Sequence, residues 1–279
     1  MVKTVAPLDV DITDLRRLTA FVMNRYGVDF TNYATSSLRR RILRILELER
    51  LPSVDALLHK LESPDYLHHF VSEVTVNVTE MFRDPSFWRV LRDKVIPTIM
   101  LNHDKISVWH AGCSSGEEVF SMAVMLREMG LLDRAKIVAT DLDRSILQRA
   151  RQGRYTAKNM DLNEKNYIRF QGASALKDYY TVRDGFAHFD PTLVQNVSFR
   201  EQDLVRGAAF SKFDLVLCRN VMIYFNQSLQ NRVLTLLHES LFKYGYLAIG
   251  SKESLIWCEI SSKFLVADNE EKVYKKVKE

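Results

Sequence analysis

The chain has 279 residues, of which 47% are hydrophobic and 27% charged, and a formal net charge of +4. That balance is the balance of a globular protein, and the length allows one large α/β domain with a smaller companion. No apolar run approaches the roughly 20 residues of a membrane span, and so mild a positive charge does not by itself imply a nucleic-acid partner.

The first 75 or so residues read as short helices. Thr13 can cap a helix that carries Leu15, Leu18 and Val22 on one side and stops at Gly27. A second helix runs from Ser37 to Leu46, with Leu38, Ile42 and Ile45 at helical spacing toward a core. Ser53 caps a third, and Pro64 opens a fourth that carries Tyr66 to Val74. Residues 1–75 are therefore expected to form a helical N-terminal domain, and 76–279 a second domain.

After Pro97 the pattern becomes strand, turn, helix, strand. Lys105 to Trp109 is a short apolar strand, and a glycine-bearing turn, Ala111-Gly112-Cys113-Ser114-Ser115-Gly116, follows it. Glu117 to Met129 reads as a helix. Ala135 to Thr140, Phe213 to Cys218 and Tyr246 to Ile249 read as further strands, and Phe264 to Val266 and Lys272 to Lys275 as closing antiparallel ones. Strands alternating with helices predict a mostly parallel sheet covered on both faces. Residues 155–203 break the rhythm: Tyr179 to Arg183, a turn at Asp184-Gly185, and Phe186 to Phe189 form a hairpin, with Val197 to Arg200 as a candidate third strand. This segment is expected to be an antiparallel insert.

Cys113, Cys218 and Cys258 are far apart and form no CxxC pair, so reduced, packed thiols are expected. The seven histidines show no zinc spacing, and no metal is expected. Met1 to Asp11 lacks the apolar core of a signal peptide, which predicts a cytoplasmic protein.

The chemistry concentrates in the loops at the carboxyl ends of the strands, where parallel sheets bind nucleotide-like ligands. Gly112 and Gly116 allow a close backbone approach. Asp141 ends the second strand and can accept hydrogen bonds from the hydroxyls of an adenosine ribose, although Asp141 or Asp143 can equally cap the next helix. A turn without the full GxGxxG pattern favours a ligand without phosphates. S-adenosylmethionine, built from adenosine, a sulfonium and an amino acid, is such a ligand, and Glu117 could pair with its ammonium group.

Five segments in order resemble the CheR family of chemoreceptor glutamate methyltransferases. They are Asn77-Val78-Thr79-Glu80-Met81-Phe82-Arg83-Asp84, the stretch WHAGCSSGEEVFSMA, the stretch ATDLDRSILQRARQGRY, the stretch FDLVLCRNVMIYFN and the turn GSKESL. The likeness runs from about residue 10 to the end. It departs at Met81, Val119, Cys113 and Lys252, where Phe, Pro, Ala and His are usual in the family.

The resemblance implies a class I S-adenosylmethionine-dependent, Rossmann-like α/β domain with an antiparallel β insert, preceded by a small all-α domain. It implies Asn77, Thr79, Arg83, Glu117, Asp141, Asp203, Leu204, Arg219 and Asn220 as contacts to S-adenosylmethionine or its product S-adenosylhomocysteine. Arg83 and Tyr224 are the implied catalytic residues. The expected substrates are glutamates on cytoplasmic helices of methyl-accepting chemotaxis receptors, docked by Arg39, Arg40, Arg41 and Arg44, since a multi-arginine surface suits carboxylates. A monomer that neither binds nucleic acid nor enters the membrane is expected. A glutamate with an ordinary pKa near 4.3 is already anionic at neutral pH, so the reaction needs no general base.

Overall fold

The computed structural model describes residues 9–75 and 79–279, so Asn77, one of the expected cofactor contacts, lies outside the described residues. The chain divides into two compact units, Met1–Val76 with Tyr224–Gln230, and Asn77–Ile223 with Asn231–Glu279. Among the described residues no helix is long and apolar enough to cross a membrane.

The first unit is helical. In α1 (Ile12–Tyr26) the Asp11 carboxylate accepts the Asp14 N–H, and Asp14 reaches back to the Asp11 N–H. This capping box displaces Thr13 from its expected role, because a carboxylate at the positive end of the helix dipole is favoured. Gly27, at φ 72°, ends α1 as expected. The amphipathic α2 (Thr35–Leu48) buries Leu38, Arg41, Ile42, Ile45 and Leu46. α3 (Val54–Lys60) is capped by Ser53, and α4 (Pro64–Val74) opens at Pro64. Tyr33 and Phe225 bridge through their backbones and meet edge to face, with ring centroids 5.1 Å apart.

The second unit begins with α5 (Pro85–Val90) and α6 (Ile96–Met100), joined by one π-helical turn. There follow β1 (Ile106–Ala111), α7 (Glu117–Glu128), β2 (Ala135–Asp141), α8 (Arg144–Gln152), β3 (Arg154–Thr156) and α9 (Ala157–Phe170). After these come β4 (Tyr180–Arg183), β5 (Phe186–Phe189), β6 (Val197–Glu201), β7 (Phe213–Cys218), α10 (Gln227–Glu239, whose first residues to Gln230 count with the first unit), β8 (Leu241–Ile249), β9 (Phe264–Asp268) and β10 (Val273–Lys276). Seven strands form one sheet in the order β6-β2-β1-β7-β8-β10-β9. Neighbours from β6 to β8 are parallel, and β10 runs antiparallel to both β8 and β9. β7 is buried along its whole length, as a strand covered on both faces must be.

β3, β5 and β4 form a separate antiparallel sheet. Its third strand is Arg154–Thr156, not the expected Val197 to Arg200, which instead extends the main sheet as β6 beside β2. A strand on the free side of β2 buries more apolar surface than a third partner in a small exposed sheet, and Phe199 of β6 is 8% exposed.

Candidate functional site

The chain travels from β1 outward through β2 to β6 and then crosses to β7, so the strand order reverses beside β1. The turns after β1 and β7 flank that reversal, the place where open parallel sheets take up ligands. Gly112 (φ 82°) and Gly116 (φ 92°) hold the β1 turn in left-handed conformations. A Cβ on Gly112 would come 2.6 Å from Val221 in the β7 turn, so the two turns are close-packed.

The two aspartates after β2 divide their tasks. Asp143 caps α8, accepting the N–H groups of Ser145 and Ile146. Asp141 accepts the Ser114 N–H at 2.8 Å and the Asp143 N–H at 3.1 Å, which pins the β1 turn to the end of β2. Burial pushes its carboxyl up, only partly opposed by those N–H groups. Glu117, 9% exposed, opens α7 and accepts the Ser115 hydroxyl at 2.6 Å. Burial raises it to about 7. Glu117 is buried and Asp141 half-buried, and an arriving donor or cation would favour the ionised form of each.

The segment Met81–Asp84 is held from several sides. Asn163 accepts the Met81 N–H, Asn166 donates to the Met81 carbonyl, and Ser121 accepts the Phe82 N–H at 2.8 Å. Phe82 (φ 50°) and Asp84 (φ 56°) flank Arg83 in the left-handed region, a strain that persists because these contacts fix it. Arg83 is half-buried, and among the described residues its guanidinium has no hydrogen-bond or ion-pair partner. Thr79 is half-buried nearby in sequence.

The Arg219 side chain is only 3% exposed and is engaged within the protein. It pairs with Asp84 at 2.6 Å and Glu118 at 3.3 Å, and stacks 3.9 Å from the Phe87 ring centroid. Any cofactor contact from Arg219 therefore falls to its backbone. Asn220, at φ 61°, follows it in the β7 turn. After β6, Asp203 accepts the Val205 N–H at 2.7 Å, and Leu204 is buried beside it.

Tyr224 belongs to the helical unit, where the Arg41 guanidinium lies 4.1 Å from its ring centroid. Arg41 is 4% exposed and donates to the Val74 carbonyl. Arg41 is thus no part of an exposed arginine surface. Its aliphatic stem follows the buried stripe of α2, and Tyr224 stacks on its planar head. Arg39, Arg40 and Arg44 are exposed. Arg39 pairs with Asp9, whereas Arg40 and Arg44 line a shallow hollow with Leu43, Glu47 and Leu48.

Several groups that shape this region carried no local signal in the sequence. Glu118 joins Arg219 to His110 of β1 at 2.8 Å, and Glu253 takes up the backbone of the β7 turn. Both stand inside segments singled out above, directly after Glu117 and in the turn GSKESL. Their partners, however, are far along the chain.

The carboxylates of Asp141 and Glu117 stand beside a glycine turn at the carboxyl end of the parallel strands. Together with the seven-stranded sheet this defines a class I methyltransferase. Comparison with known proteins narrows the class. Residues 77–272 match the CheR methyltransferase SAM-binding domain, and residues 13–75 match its all-alpha domain. This chain belongs to the CheR methyltransferase family. It is 40% identical to "Putative methyltransferase Cher3" of Pseudomonas putida, over 94% of this chain and 96% of that one. It is 32% identical to the chemotaxis protein methyltransferase of Listeria innocua (87% and 90% covered) and 31% identical to that of Borreliella burgdorferi (89% and 91%).

Proposed function

We infer that this chain transfers a methyl group from S-adenosylmethionine to glutamate side chains of methyl-accepting chemotaxis receptors, leaving glutamyl methyl esters and S-adenosylhomocysteine. The observation that carries the reading is that Asp141 and Glu117 each hold a serine of the Gly112–Gly116 turn, on a chain matched by both domains of the CheR family. Asp141 is assigned to the ribose hydroxyls and Glu117 to the ammonium group. Thr79, Asp203, Leu204, the Arg219 backbone and Asn220 complete the cofactor contacts, with Asn77 assigned by its motif alone.

When bound, S-adenosylmethionine supplies an electrophilic methyl group. The protein has to deliver a carboxylate that is already ionised, so its work is positioning and exchange of water for fixed dipoles. Arg83, without a carboxylate partner among the described residues, orients the incoming glutamate. Tyr224 offers its hydroxyl to substrate or cofactor, held by the Arg41 stack. Arg40 and Arg44 dock the receptor helix, in the cytoplasm, with the protein acting as a monomer.

The test incubates the protein with S-adenosylmethionine carrying a tritiated methyl group and membranes bearing the host's chemoreceptors. Label released as methanol by mild base identifies a methyl ester, whereas label stable to base, or found in nucleic acid, overturns the reading.

A further inference from the structure

Glu253 is a carboxylate buried to 6% exposure that, among the described residues, has no cationic partner and is met by backbone instead. Its Oε1 accepts the N–H groups of Met222 at 2.7 Å and Ile223 at 3.2 Å. Its Oε2 accepts those of Asn220 at 3.1 Å and Gly250 at 2.5 Å. Four backbone donors converging on one anion make a nest of the kind that elsewhere binds phosphate or sulfate. Here the chain supplies the anion itself.

The donors come from two different turns at the carboxyl edge of the sheet. Asn220, Met222 and Ile223 lie after β7, whereas Gly250 lies directly after β8. The turns are also packed tightly: a Cβ on Gly250 would meet the Asn220 nitrogen, Asn220 Nδ2 and Glu253 Oε2, each at 2.8 Å. Asn220 itself holds a left-handed φ of 61°, a conformation that asparagine adopts more readily than other side-chain-bearing residues.

We propose that Glu253 is a positioning residue for the methyltransferase site, its carboxylate clamping the β7 turn so that Arg219 and Asn220 present their backbone and amide to the cofactor. The proposal rests on the reading of this turn as part of the cofactor site. It touches no reacting atom and acts only through the turn. An amide at the same place would break the clamp without changing side-chain size, because its NH2 faces N–H donors where an oxygen is required.

The test measures S-adenosylhomocysteine binding by calorimetry, together with thermal unfolding, for wild type and Glu253→Gln. A folded variant that binds at least tenfold more weakly supports the clamp. A folded variant that binds within twofold of wild type overturns it, even with a lowered melting temperature, since a merely structural carboxylate would give that result. Should Glu253→Gln fail to fold, amide exchange in the wild-type protein decides. Slower exchange at Asn220, Met222 and Ile223 on adding S-adenosylhomocysteine supports the proposal, and unchanged exchange overturns it. Wild type with no affinity for S-adenosylhomocysteine would instead overturn the cofactor reading, and this proposal with it.

Discussion

Arg219 Nη2 lies 2.6 Å from Asp84 Oδ2, joining the end of the turn after β7 to the residue that follows Arg83. The same guanidinium reaches Glu118 at 3.3 Å, and Glu118 in turn meets His110 Nδ1 at 2.8 Å. Burial alone would push the Glu118 carboxyl up, but His110 and Arg219 outweigh it and hold the group below the ordinary carboxylate range. Four polar groups thus form a chain from the strained Asp84 into the interior of the sheet.

Replacing Arg219 by methionine should cost about 2 kcal/mol of stability, because it removes the buried guanidinium that the half-buried Glu118 shares with His110. Urea unfolding at neutral pH measures the loss. The sign with pH follows from the depressed Glu118 pKa. Its contribution is present in full above its ordinary value of 4.5 and fades as pH falls through the lower folded value. The gap between wild type and Arg219→Met should therefore narrow in acid. A gap that stays constant down to pH 3 would contradict the ion-pair account.

Glu117 titrates in the opposite sense. Burial raises it to about 7, so the unliganded fold favours the protonated acid and loses that contribution as pH rises from 4.5 toward 7. On the proposed assignment of Glu117 to the cofactor's ammonium group, binding requires the ionised form. Affinity for S-adenosylhomocysteine should therefore rise by up to about tenfold between pH 6 and pH 8, as one carboxyl with that pKa ionises. Glu117→Gln should bind weakly and show no such rise. Calorimetry across the range would detect an unchanged affinity, which would remove Glu117 from the ammonium site.

The arginines of α2 separate by burial. Arg40 and Arg44 are exposed, so replacing both by glutamate should leave stability within about 0.5 kcal/mol while raising KM for receptor several-fold. Arg41→Ala removes a buried head stacked on Tyr224, and should lower both the melting temperature and kcat. Steady-state assays with receptor membranes, paired with thermal unfolding, check both. Equal effects from the two replacements would erase the distinction between docking and buried arginines.

Those arginines also mark the limit of what the sequence discloses. The parallel sheet was legible because β1, β2 and β7 are apolar runs ended by Gly112, Asp141 and Arg219, and such runs need no partner to be recognised. The helices of the first unit were legible from the spacing of Leu38, Ile42 and Ile45. Arg41 stands three residues after Leu38 and four before Ile45, on that same stripe, but its charged type grouped it with the neighbouring arginines. Its burial depends on Tyr224, which arrives much later in the chain. The same holds for Arg219, whose type suggested a ligand contact and whose side chain is taken up by Asp84 and Glu118. The third strand of the insert was misplaced for a related reason. Val197 to Arg200 alternates as any edge strand does, and only the free side of β2 decides which sheet it joins.

Arg83 is the residue to which the proposed function assigns the alignment of the substrate. Its backbone is fixed on both sides, by Ser121 beneath the Phe82 N–H and by the Arg219 pair on Asp84, while its guanidinium keeps no partner among the described residues. A side chain held ready in this way contributes by aligning the carboxylate, not by moving a proton. Arg83→Ala should lower kcat for methyl transfer at least tenfold, which corresponds to about 1.4 kcal/mol or more of lost transition-state stabilisation. Because the substrate carboxylate is ionised without help, the shape of the pH profile above pH 6 should remain that of wild type. Tritiated-methyl transfer measured from pH 6 to pH 8.5 tests both halves. Unchanged turnover would exclude Arg83 from the reaction, and a new pH dependence in the variant would show that it also sets the ionisation of a neighbour.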